Sequence, residues 1–456
     1  MNSYKKLDLI LFAALTLLCF FSFQHGDQID IIRLSSALTN GHFFDFYDFN
    51  LTIEPARIIG YFPSIYVIFG LWGLPLKLFG VISDSPIFVG CSEWRFLLII
   101  WYFKLCTTIF YGLTGYLLYK TGKLLNASRT SSSTGFDLVA FVLTQPILIF
   151  GQFIFSQTDI IGVFFITLAL YFLLQKRMIL FSLLMGFSIT FKLFPIFFYI
   201  PLLLLLEKKP LQLIKHVLVF LIPISFFFLL FWSSPGFHQT ALSNDNVGRL
   251  YTVSINNGID KTSILLLVWF FICGYCYLKN IDKKPEQVFQ WAAYIGTVAF
   301  SCLFGFMFWH PQWLTLLVLF FSLSTFLNPL RREFLILDGF MMLAFIAIVV
   351  KTEVHASDTY LMQQGIWSAL FPRTHEVHKI ARFGLFYFTK IDLWYALFNS
   401  ALLLNCVFKH PNYHTAKKLL FTDNLSTLNS LRFRYYFGVG TYVVLSFFAF
   451  FLPPRG

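Results

Sequence analysis

The chain has 456 residues, of which 57% are hydrophobic, 20% aromatic and 12% charged, with a formal net charge of +12. Soluble domains carry about 25% charged residues and disordered chains combine low hydrophobicity with high charge, so both classes are excluded. Apolar runs of the roughly 20 residues that cross a bilayer core recur along the whole sequence, which reads as an all-α integral membrane protein.

In chain order, hydropathy predicts spans at 7–23, 98–119, 137–154, 157–175, 179–192, 193–206, 216–232, 262–278, 291–308, 312–327, 334–350, 391–408 and 435–452, a bundle of about 13 transmembrane helices. The first follows Lys5 and Lys6 and has no small-residue cleavage site after it, so it is expected to stay in the chain as a helix. The apolar piece 61–79 is expected to be only partly inserted, because a full crossing there would invert every later loop. With it left out, twenty of the 34 basic residues fall on one face: Lys5/Lys6, Lys120/Lys123/Arg129, Lys176/Arg177, Lys208/Lys209/Lys215, Lys279/Lys283/Lys284, Arg331/Arg332 and Lys409/Lys417/Lys418/Arg432/Arg434. The positive-inside rule makes that face cytoplasmic. The N-terminus is then cytoplasmic, residues 24–95 form an outer loop, and the basic charge is topology, with no nucleic-acid partner. Six cysteines (Cys19, Cys106, Cys273, Cys276, Cys302 and Cys406) lie in apolar runs; the Cys273/Cys276 pair has no second pair nearby, which favours packing over metal or redox chemistry. The short runs 179–192 and 193–206 meet at Phe191-Lys192-Leu193-Phe194-Pro195, which predicts a sharp bend near the outer surface.

On this topology the chemically useful residues collect on the outer side. Asp27 and Asp30 precede the apolar pattern Ile31, Ile32, Leu34, Ala37, Leu38, which predicts a short helix lying on the membrane surface. Two carboxylates at i and i+3 share one face of such a helix, a pattern suited to a general base or a divalent-ion site. Asp45 and Asp48, further along, read as a solvated acidic loop. Gln157 and Asp159 sit at the junction of two spans, where Asp159 is either a functional carboxylate or a helix cap. Lys192 either snorkels to the interface or serves a ligand. His310 and Gln312 stand between two long spans, where an aromatic belt explains Trp309 and Trp313 but not the imidazole or the amide. Lys104 falls in mid-span with no evident partner. The interval 351–390, with His355, Arg373, His375, His378 and Arg382, reads either as the second wall of an outer pocket or as an ordinary interfacial loop. A carboxylate that takes a proton from a hydroxyl, beside cations that stabilise a phosphate leaving group, is the inventory of a transfer reaction on a lipid phosphate.

The chain resembles the polytopic glycosyltransferases of the C-type (GT-C) fold, most closely family 87 and bacterial mannosyltransferase-like proteins that use polyprenyl-phosphate sugars. The resemblance runs over residues 1–330 and is carried by Asp30, Ala37, Gly41 and Phe44, by Ser156-Gln157-Thr158-Asp159 with Ser in place of Gly, by Phe191-Lys192-Leu193-Phe194-Pro195, and by His310-Pro311-Gln312-Trp313. It implies a catalytic module at 1–330; the remaining 331–456, which resembles no known family, reads by hydropathy as C-terminal transmembrane helices with an outer loop at 351–390. It further implies inverting transfer of a hexose from a polyprenyl-phosphate donor to a hydroxyl of a glycan or glycolipid acceptor at the extracytoplasmic face of the cell membrane, for cell-envelope synthesis. Asp30 would be the general base, Lys192 and His310 would hold the donor phosphate, and Asp27, Gln157, Asp159 and Gln312 would complete the substrate site. Monophosphate donors in this fold generally need no metal, so no metal and no other cofactor is expected. A transporter or lipid flippase is the alternative; it would place ionisable residues near the bilayer midplane, whereas all those named here except Lys104 gather at the outer rim. A polysaccharide polymerase would hold a diphosphate with outer arginines, and only Arg373 and Arg382 meet that description.

Overall fold

The computed structural model describes residues 6–53, 60–82, 88, 92–126, 134–243, 248–256, 258, 260–352, 358–372, 378–412 and 424–452. Helices follow the apolar runs throughout: α1 (Lys6–Ser22), α2 (Gly26–Thr39), α3 (Phe46–Ile53), α4 (Ser64–Leu78), α5 (Glu93–Asn126), α6 (Thr134–Leu143), α7 (Pro146–Ile149), α8 (Asp159–Leu174), α9 (Met178–Ile189), α10 (Ile196–Leu206) and α11 (Pro210–Phe231). The second half continues with α12 (Pro235–Phe237), α13 (Ile264–Leu278), α14 (Pro285–Phe306), α15 (Leu314–Phe326), α16 (Arg331–Lys351), α17 (Tyr360–Gln363), α18 (Ile366–Leu370), α19 (Gly384–Phe388), α20 (Ile391–Phe408) and α21 (Asn424–Phe451). Among the described residues the strands are one small antiparallel hairpin, β1 (Ser254–Asn256) against β2 (Lys261–Ser263), with Ser254 opposite Ser263. His355, Arg373 and His375, like Lys5, Arg129, Lys417 and Lys418, lie outside the described residues.

Among the described residues, five helices are long and apolar enough to cross a membrane, or up to seven if each of two bent pairs is one span. Against the expected thirteen, a further set of apolar helices of 10–17 residues is shorter than the roughly 20 residues of a straight crossing. The chain is thus a multi-pass helical membrane protein whose crossings are partly broken. The first bent pair is α1 and α2, which meet at 66°. The second corrects the single span expected at 137–154: α6 and the following segment meet at 63°, because Pro146 offers no N–H to continue the ladder. Gln145 caps the restart, its Oε1 accepting from the amides of Ile147 at 2.7 Å and Leu148 at 3.2 Å. α7 then loosens into a π turn at Phe150–Ile154, the form of helix often found next to functional sites.

α2 also differs from expectation. Its apolar residues Ile31, Ile32, Leu34 and Ala37 are buried because the helix packs on α4, so the protein, not the bilayer surface, covers that face. The helix pairs α8–α9 and α9–α11 form one flank, with backbones close enough that a Cβ on Gly186 would stand 2.1 Å from the carbonyl oxygen of Phe220. α16 packs against both α20 and α21, and α14 lies between α15 and α20.

The described part of the interval 351–390 braces the α1–α2 joint. The Gln24 amide donates to the Leu361 carbonyl at 2.8 Å, and the Trp367 indole donates to Ser22 Oγ at 2.7 Å. Asp358 Oδ1 accepts from the amides of Thr359 at 2.8 Å and Ile380 at 2.7 Å, tying the two ends of this segment together. Its described residues form a buttress, and none of them lines the cavity described next.

Candidate active site

The break after α1 decides where the two carboxylates point. His25 caps α2, its Nδ1 accepting from the Asp27 amide at 3.1 Å, and its ring stacks on Phe155 with centroids 3.8 Å apart. This ties the start of α2 to the turn after the π segment. Asp27 and Asp30, one turn apart on α2, open onto a cavity of about 320 Å3 that they share with Ile31, Leu34, Tyr61, Tyr66, Arg249, His310, Gln312 and Trp313. Four separated stretches of chain therefore converge: α2, the approach to α4, the segment before the hairpin, and the short link between α14 and α15.

The two carboxylates are not equivalent. Gln157 Nε2 donates to Asp27 Oδ2 at 2.9 Å, and His25 Nδ1 lies 3.4 Å from Asp27 Oδ1. Asp30 instead faces Arg33, whose Nη2 lies 3.5 Å from its Oδ1, while the two carboxylate side chains are equally exposed at 44%. Opposite them, Arg249 stacks over Trp313 at 5.1 Å from the ring centroid. Arg249 Nη1, Gln312 Oε1 and Trp313 Nε1 are buried with no hydrogen-bond partner among the described residues, which leaves polar atoms at the cavity for a ligand to satisfy. Burial keeps the Tyr61 phenol well above its ordinary range, and the nearby Asp27 and Asp159 charges add to that. Tyr61 therefore keeps its proton and remains a hydrogen-bond donor.

Behind this wall sit Asp159 and Lys192. Lys192 Nζ is 2.5 Å from Asp159 Oδ1, with side chains 11% and 3% exposed, and it also faces the rings of Tyr61 at 5.8 Å and Trp313 at 5.2 Å. Thr158, the residue at the cap position of α8, makes no side-chain cap hydrogen bond, so the acid at the head of this helix is spent on the lysine. Of the residues expected at a site, Asp27, Asp30, His310 and Gln312 line the cavity, Gln157 touches it through Asp27, and Asp159 and Lys192 form a pair one layer behind. Asp45 and Asp48 serve local structure, the first bonded to His42 at 2.9 Å and the second accepting from the Gly236 amide at 2.7 Å. Tyr61, Tyr66 and Arg249 were not anticipated. Arg249 did carry a signal, being the single arginine of the interval 233–261, a loop that the topology expected from sequence leaves poor in cations.

Lys104 finds its partners here too. Its buried Nζ donates to the carbonyls of Phe20, of Phe23 at 2.8 Å and of Phe153 at 3.2 Å. The first two close the C-terminal end of α1 and the third lies in the π turn, so one cation satisfies backbone groups freed at both helix breaks.

Residues 155–243 match the mannosyltransferase (PIG-M) family. This is a C-type family of membrane glycosyltransferases, and the match, about a fifth of the chain, supports a membrane glycosyltransferase acting between a sugar donor and an acceptor. The matched segment holds Gln157, Asp159 and Lys192 and stops short of Arg249, His310 and α2. No curated protein and no solved structure matches the chain.

Proposed function

We propose that this protein transfers a hexose, mannose by the family match, from a polyprenyl-phosphate donor to a hydroxyl of a cell-envelope glycan or glycolipid on the extracytoplasmic face. What carries the reading is one cavity, within the roughly 300–1,000 Å3 range of small-molecule sites, that joins two carboxylates to Arg249, His310 and an aromatic wall. Asp30 is the base: it faces the cavity from the same helix as Asp27, and Asp27 is the carboxylate that Gln157 and His25 hold in place. The acceptor oxygen attacks the anomeric carbon from the side opposite the phosphate, and its proton passes to the Asp30 carboxylate. The bond from the anomeric carbon to the phosphate oxygen breaks with its electron pair on the phosphate, and the sugar inverts. Arg249 and His310 stabilise the charge that grows there, an effect that is strong where water is excluded. Tyr61, Tyr66 and Trp313 flank the sugar, while Lys192, neutralised by Asp159, holds two of these rings in position.

The test is transfer of radiolabelled sugar from synthetic polyprenyl-phosphate mannose, glucose or N-acetylglucosamine by purified wild type, Asp30→Asn and Arg249→Gln, with and without EDTA. Asp30→Asn is expected to lose about 10²–10⁴-fold in turnover with donor binding intact, the range for a general base. Arg249→Gln is expected to weaken donor use. Consumption of no donor by wild type, or full activity in Asp30→Asn, would overturn the assignment.

A further inference from the structure

Away from the cavity, α16 and α21 enclose a second recess of about 350 Å3, lined by Arg332, Ile336 and Phe340 from one helix and Asn429, Ser430 and Phe433 from the other. Arg332, Ile336 and Phe340 recur every four residues and so share one face of α16. On α21, Phe433 lies across Gly339, where a Cβ would stand 2.8 Å from its ring, and Phe340 is 6.1 Å from Phe433 and 6.2 Å from Phe437. The two helices therefore run side by side in the same direction, and their gradients coincide. One end of the recess is polar and the other aromatic. A second guanidinium joins the polar end: Arg432 Nη1 donates to Asn429 Oδ1 at 3.1 Å, while Asp8 accepts from its Nε at 2.9 Å and its Nη2 at 2.8 Å. Two guanidinium groups against one carboxylate leave this end positive. The aromatic end opens outward, with Phe340 56% exposed. Because α15 begins beside Trp313 at the cavity and α16 starts where α15 has ended, the polar end lies at the opposite end of the bundle from the cavity.

We infer that this recess binds one anionic phospholipid of the leaflet opposite the cavity, its phosphate against Arg332, Asn429 and Ser430 and an acyl chain along Ile336, Phe340 and Phe433. The positive end selects a headgroup with net negative charge, and the aromatic end, useless to a free anion, selects a chain. A lipid bridging both helices fastens α21 to α16 across the face that the bilayer covers. The site is independent of the transfer reaction.

Native mass spectrometry of the full chain, released from detergent with phosphatidylglycerol, phosphatidylcholine or glycerol 3-phosphate, tests this. Phosphatidylglycerol is expected to be retained about fivefold over phosphatidylcholine, whose choline cancels the phosphate charge that Arg332 attracts, with glycerol 3-phosphate not retained. Arg332→Gln should remove the preference, and Phe340→Ala, which keeps every charge, should weaken retention of both lipids. Melts without added lipid check that both variants are folded. Equal retention of the two phospholipids, undiminished preference in folded Arg332→Gln, or retention of glycerol 3-phosphate at the same strength would overturn the inference.

Discussion

Replacing Lys104 with methionine removes a charge and its donors from the middle of α5 while keeping the length of the side chain. In the wild type the ammonium serves the carbonyls of Phe20, Phe23 and Phe153, two of them at 2.8 and 3.2 Å. Hydrogen bonds from a charged group contribute about 1.5–3 kcal/mol each, and burying the ammonium costs several kcal/mol in return. The net loss on substitution is therefore about 2–4 kcal/mol. A lysine that only filled space would lose almost nothing, since methionine has similar bulk. The kinetic effect should exceed the thermodynamic one. The carbonyls released belong to the breaks that orient Asp27 and Asp30 on one side and Gln157 and Asp159 on the other, and a displacement of about 1 Å at a reacting group costs about 10²-fold. Thermal melts of purified protein, read beside transfer rates well below the melting temperature, separate the two effects. A Lys104→Met variant that melts with wild type and transfers sugar at the same rate would refute the reasoning.

Other outcomes follow from the same geometry. Lys192→Met strands the buried Asp159 carboxylate and should cost about 3–5 kcal/mol; Lys192→Met combined with Asp159→Leu should recover most of that stability in melts, and failure to recover would show that the pair is not the source. Ser156 is buried at φ 61°, a left-handed conformation that costs an L-residue about 1–2 kcal/mol, and its hydroxyl makes only a 3.4 Å bond to the Phe153 carbonyl. Ser156→Gly should therefore raise stability by about 1 kcal/mol, and a lower melting temperature would count against strain at this turn. Burial pushes the Asp358 carboxyl above its ordinary range, with the Ile380 and Thr359 amides pulling partway back. A raised folded-state value means tighter proton binding in the native state, so this contribution is present at low pH and is lost as pH rises through that value. Asp358→Asn should flatten the melting profile from about pH 4 upward; a profile parallel to wild type would contradict this.

The helices were legible because apolar runs of bilayer length have few alternatives, and the polar motifs at 156–159, 191–195 and 310–313 were legible because such residues are conspicuous between those runs. Their convergence with Asp27 and Asp30 was anticipated from topology alone. Less was visible where the decisive term is tertiary. α2 has the pattern of a surface helix, and nothing local announces that α4 will cover it. Hydropathy passes smoothly over Pro146, so the broken span at 137–154 shows only in the backbone. Lys104 looked orphaned because its partners are carbonyl oxygens, which every residue carries and no sequence displays. The same holds for the Asp159–Lys192 pair, whose members are far apart in the chain and meet only because α8 and α9 pack together.

The sharing of one ammonium by two helix breaks has a mechanical consequence. The joint that carries Asp27 and Asp30 and the joint that carries Gln157 and Asp159 are lashed at a single knot, reinforced by His25 stacked on Phe155. Neither can tilt alone without stretching a bond to that knot. A shift of α2 is therefore carried toward the Asp159–Lys192 pair and the rings it faces, so the two halves of the cavity are built as one hinge plate and not as two independent loops.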